Sequence, residues 1–190
     1  MADIGDQFIT TEEFDALLRE EAQRLSNFVP TLNGAQLQPM IVALLNRKET
    51  NSKREAVLIA VPSMPEGDEK RQMLFALGAK VAGEKLQVVG AFLATEAWMK
   101  VMTQAEGWRT KKHGVPQPSK CADRQETIIL WGRTIDGRLK WGLAPLNHQS
   151  KKVSLGVWKF SNPADGIEDN LLSYFFAGYL LGSKAGGSGK

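Results

Sequence analysis

The residues best placed to do chemistry are Glu96, Asp123, Arg124 and Glu126. Glu96 closes the strand-like run AFLATE, two residues before Trp98, and the other three open the next strand-like run. Carboxylates that share a site with a guanidinium can hold and pass a proton. If the two runs pair antiparallel, the end of one lies beside the start of the other. That would bring Asp123, Arg124 and Glu126 towards Glu96 and Trp98. A lone carboxylate between Phe92 and Trp98 on one strand face would pay a heavy desolvation cost or shift its pKa. Glu96 therefore needs a partner or water, and Arg124 is the expected partner, because a guanidinium grips a carboxylate with two parallel bonds. The plainer reading is a structural ion pair that pins the end of a long loop. The sharper reading is a ligand or catalytic site, and a solvated strand end is the third.

A second constellation lies between these runs. Trp108, Arg109, Lys111, Lys112, His113 and Lys120 form a basic, aromatic cluster in a Pro- and Gly-rich stretch near 103–120. Basic and aromatic groups together can grip single-stranded nucleic acid or another anion; a solvated loop is the plainer reading. His113 and His148 stand in unrelated segments without metal-ligand spacing, so no metal site is expected. Cys121 sits among basic residues that could lower its pKa, although a plain loop cysteine is the simpler view. No G-x-S-x-G nucleophile turn occurs, and no phosphate-loop spacing is complete at the C-terminal GGSGK. No cofactor is called for.

The elements that must position these residues read as α+β, with a mainly antiparallel sheet, helices packed on it and a helix near each terminus. The period of Phe14, Leu17, Leu18, Ala22 and Leu25 predicts a first helix, with Thr10 as N-cap and Glu13 as its capping-box partner. PMIVALLN and EAVLIAVPS predict a hairpin. A second helix follows, with Gly83 as candidate C-cap and Gly78 as an interior weakness. QVVGAFLATEAW is expected to be a central strand covered on both sides, with Val88, Phe92, Glu96 and Trp98 on one face and Val89, Ala91 and Leu93 on the other. Asp136-Gly137 predicts a type I′ hairpin. KVSLGVWKF reads as one further strand with Val153, Leu155 and Val157 on one face. The last helix is apolar nearly all round, so it must be buried against the sheet or a partner. Its Tyr174, Phe175, Phe176 and Tyr179 suit a core, or else a self-association surface.

One domain over residues 1–185 with a flexible tail at 186–190 fits a chain of 190 residues. The formal net charge of +3 does not by itself argue for nucleic acid. A single cysteine permits no intramolecular disulfide, which fits a reducing compartment. The N-terminus lacks a basic and apolar leader and the apolar runs are short, so a cytoplasmic protein without membrane spans is expected. Five tryptophans, at 98, 108, 131, 141 and 158, are many for this length, and packing is their default role.

ATEAWM followed by PSKCADRQE resembles a family of uncharacterised bacterial and mobile-element proteins. In that family a strand ends in S-E-A-W-M, and a later segment reads P-S-x-x-x-D-R-x-E. The matching positions here are Glu96, Ala97, Trp98 and Met99, then Pro118, Ser119, Asp123, Arg124 and Glu126, with Thr95 where the family has serine. The resemblance covers about Lys53 to Gly137. It implies no activity, only that the two segments belong together. Three functions follow from the residues: a non-catalytic binding or assembly module, self-associating through the C-terminal helix or exposed hairpins; nucleic-acid or anion binding through residues 108–124; or an enzyme built on Glu96, Asp123, Arg124 and Glu126.

Overall fold

The computed structural model describes residues 9–48, 54–61, 63–99, 123–149, 152–161 and 171–187. Helix α1 (Thr11–Phe28) and a 3₁₀ turn (Val29–Leu32) precede strands β1 (Met40–Lys48) and β2 (Arg54–Ala60). Helix α2 (Gly67–Gly83) leads to the long strand β3 (Val88–Met99). Strands β4 (Gln125–Thr134), β5 (Leu139–Gln149), β6 (Lys152–Leu155) and β7 (Lys159–Ser161) follow, then helix α3 (Leu171–Gly187). The sheet order is β2-β1-β3-β4-β5-β6, with β7 also on β5, and each described pairing is antiparallel. This is the expected α+β architecture. The basic cluster from Trp108 to Lys120, with Cys121, lies outside the described residues.

Two cores hold the layers together, one on each face of the sheet. Phe14, Leu18, Ala22 and Leu25 of α1 pack on Phe92, Ala94, Ile128 and Leu130. Leu74 and Val81 of α2 and Leu172, Phe175, Phe176 and Tyr179 of α3 pack on Ile41, Ala91 and Leu93. Strand β3 runs between the two, which is why its first half is apolar on both faces. Thr10 caps α1 as expected, its hydroxyl accepting from the Glu13 N–H at 3.1 Å. The Glu13 carboxylate is engaged by Arg54 of β2, whose guanidinium forks onto it at 2.9 Å through both nitrogens.

Helices α2 and α3 cross at very short range. A Cβ on Gly78 would lie 1.9 Å from the Phe175 carbonyl oxygen, and one on Gly178 would lie 1.9 Å from that of Phe75. Gly78, an apparent weakness in the helical pattern, is thus the residue that lets α3 approach. The Tyr179 hydroxyl accepts from the Val88 N–H at 2.9 Å and donates to the Leu86 carbonyl at 2.7 Å, fixing α3 to the start of β3. Three of the four aromatic residues of α3 are buried in this core and Tyr174 packs against it. The helix runs to Gly187, two residues into the expected tail.

Four local expectations are corrected. Leu44 pairs with Gly90 but Leu45 with Val88, so Val89 is an extra residue; Val88 and Val89 exchange the faces that strict alternation gave them. Lys85, at φ 57°, takes the left-handed position after α2 in place of Gly83. The β4–β5 connection is a three-residue loop rather than a type I′ turn. Gly137 alone is left-handed there, at φ 97°, and the Gly137 N–H donates to the Thr134 carbonyl at 3.0 Å. Finally, KVSLGVWKF splits into β6 and β7 on the same edge of β5, with Gly156–Trp158 bulged between them. The bulge stands opposite Pro145, which has no N–H to give, and it leaves Val157 83% exposed.

Candidate functional site

The register of β3 and β4 sets the site. Trp98 lies opposite Glu126 and Glu96 opposite Ile128, so the antiparallel pairing inferred from sequence is present. Directly opposed residues share a face, and this one is the α1 face, where Phe92 and Ala94 are already buried. Glu96, Trp98 and Glu126 therefore stand together where the hydrophobic core ends.

The expected Glu96–Arg124 ion pair is replaced by other contacts. Glu96 Oε1 accepts from the Leu37 N–H at 2.5 Å, and the nearby Gln36 side chain also favours the charged carboxylate. Arg124 lies four residues along β4 from Glu96's opposite neighbour, roughly 13 Å at strand spacing. Its guanidinium instead sits 4.5 Å over the Trp98 ring, a diagonal cation–π contact. Asp123 is exposed in the turn before β4.

His148, which lacks metal-ligand spacing in the sequence, joins this cluster. Its Nε2 lies 2.7 Å from Glu126 Oε2. The signal was present in the β4–β5 hairpin: carried on from Thr127 opposite Pro145, the register sets Leu146 opposite Glu126 and His148 two residues further on the same face, diagonal to Glu126. Glu96 has a pKa raised above its ordinary value. Burial is the main cause, the Leu37 N–H opposes it, and the nearby Glu126 charge adds to it. Among the described residues, no group of three or more His, Cys, Asp and Glu side chains is arranged to hold a metal.

Strand β3 outruns its neighbour on one side. The β1 ladder starts at Met40 opposite Ala94, so Thr95–Met99 has β4 on one side and no described strand on the other. The alternation of ladder bonds turns the backbone groups of Glu96 and Trp98 towards that open side. A cavity of about 810 Å³ lies there. Thr95, Ala97, Ile129 and Trp131 line it from the α2–α3 face, and Glu96 and Trp98 border it at the strand edge. Its walls come from Gln36–Pro39, from Ser63, Met64, Glu66 and Lys70, and from Leu171. Gln36, Leu37, Lys70 and Trp131 were not among the site residues expected from sequence; they reach the cleft because α2 and the segment before β1 start at this end of the sheet. Glu126 and His148 stand outside the described lining.

No family model matches the chain, and no curated protein or solved structure matches it either. No described helix is long and apolar enough to cross a membrane.

Proposed function

We propose that the protein is a binding module whose ligand occupies the cleft at the open end of β3. One observation carries this reading: an 810 Å³ cavity at the open edge of β3, lined by Trp131 from the α2–α3 face and by Glu96 and Trp98, whose side chains lie on the α1 face. Ligand sites typically have this size and this mixture of apolar wall and few polar groups. Glu66 and Lys70 offset each other in charge, which leaves Glu96 as the charge that sets preference. A cation would relieve both the burial of Glu96 and the repulsion from Glu126 that raise its pKa. Arg124 over Trp98 shows that the indole face accepts a cation. The ligand class is therefore an apolar or aromatic body bearing an ammonium or guanidinium group.

The test is equilibrium binding of phenethylamine against its carboxylate counterpart, phenylpropanoate. The amine is expected to bind and the carboxylate to bind more weakly. Glu96→Gln should narrow that difference, and Trp98→Ala should weaken both. Equal affinity for the two compounds, unchanged by Glu96→Gln, contradicts the reading.

An acid–base enzyme is the second reading, favoured by the His148–Glu126 contact beside Glu96. It requires a substrate that spans from the cleft to Glu126, around the Trp98 ring. Nucleic-acid binding through residues 108–124 is a separate proposal, tested by affinity that falls steeply with salt.

A further inference from the structure

We infer that the outer edge of β2 docks a second copy of this chain. The sheet has two edges, and they are built differently. The β6/β7 edge is divided into strands of four and three residues, bulged between them, with Lys152 and Lys159 exposed. Those are the devices by which an edge is kept from pairing. The β2 edge has seven residues in one run, and Ala56–Ala60 holds neither charge, proline nor bulge. Leu58 at its centre is 57% exposed.

The direction of the backbone groups follows from the β1 ladder. The Val61 N–H donates to the Pro39 carbonyl at 3.1 Å, and the register is unbroken from there to Ala56. Val57 and Ile59 therefore turn their N–H and C=O groups inward to β1, and Ala56, Leu58 and Ala60 turn theirs outward. The outward groups are self-complementary. Under a two-fold axis through Leu58, that residue meets its own copy, and Ala56 meets Ala60 on either side. Each of these is a pair in which both partners present donors and acceptors with no strand beside them among the described residues, as an antiparallel ladder requires. Glu55 then faces Val61, so like charges are not opposed. The exposed side chains of Ala56, Leu58 and Ala60 join their counterparts in one apolar stripe on a shared face. An isologous contact of this kind closes as a dimer. A different strand could use the same edge, but the uncharged symmetric register favours a second copy. Helix α3, the other candidate surface for self-association, has its aromatic residues in or against the core.

The test is sedimentation across dilution, combined with amide hydrogen exchange on the unmodified chain. The mass is expected to rise from 20.9 kDa towards twice that value with concentration. The amides of Ala56, Leu58 and Ala60 should slow as it does. Leu58→Lys should stay at the monomer mass with thermal stability unchanged. A mass that stays at the monomer value at the highest concentration overturns the proposal. So does a dimer whose three β2 amides exchange independently of concentration, or one that Leu58→Lys still forms.

Discussion

The two ends of strand β3 belong to one element and behave as two regions. From Val88 to Ala94 the strand lies between β1 and β4, and most of its side chains are buried among apolar neighbours on both faces. From Thr95 to Met99 it keeps β4 and loses β1, and it borders a cleft. The change occurs over a single residue. Its cause is that the segment before Met40 leaves the sheet, burying Leu37 in the α1 core and sending its N–H to Glu96. A carboxylate is tolerated in this strand because that N–H, Gln36 and the open side compensate it. The first end makes the fold, and the second borders the cleft proposed to take the ligand.

The comparison breaks most visibly if stability does not follow it. Phe92→Ala, at the closed end, removes a fully buried ring stacked 5.3 Å from Phe14, and it should cost about 3–5 kcal/mol in denaturant unfolding. Trp98→Ala, six residues on and 41% exposed, should cost far less while weakening binding. Equal losses from the two would dissolve the distinction. Next in size is Tyr179→Phe. It strands the Val88 N–H and the Leu86 carbonyl at the closed end, and it should cost about 1–3 kcal/mol.

A smaller effect sharpens the open end. The native state raises the Glu96 pKa above its ordinary 4.5, so it holds that proton more tightly than the unfolded chain does. The stability linked to this is full below the ordinary value and is lost as pH rises through the raised one. Glu96→Gln keeps an acceptor for Leu37 and cannot ionise. Its melting temperature should therefore climb relative to the parent as pH rises from the ordinary carboxylate value through the raised one. A difference that stays flat across that range would show that Glu96 is not strained by its site. The smallest effect is Arg124→Ala, which removes the guanidinium from Trp98 and should cost about 0.5–1 kcal/mol, as exposed cation–π pairs do.

The closed end was readable from sequence because apolar period and strand order decide it. The helices, the hairpins and the central place of β3 all follow from patterns local to each segment. The failures share a different origin. Gly78 looked like a flaw because its reason lies on another helix, at Phe175. Val88 and Val89 changed faces because a bulge depends on how two strands match, which neither strand shows alone. Glu96 was singled out correctly as needing a partner, yet the partner was a backbone N–H, and an N–H has no sequence signature. Antiparallel pairing and the affinity of guanidinium for carboxylate point Arg124 to Glu96, but the exact register, which neither strand shows alone, puts it over Trp98.

The most direct test of the account is residue-resolved. The indole N–H signals of Trp98 and Trp131 should be followed by nitrogen–proton NMR while phenethylamine is added. Both signals should shift and saturate together, with amide shifts confined to Thr95–Trp98 and the cleft walls, and Glu96→Gln should weaken the response. Indole signals that do not move, or shifts concentrated in Val88–Ala94, would contradict the claim that the open end of β3 is the binding site.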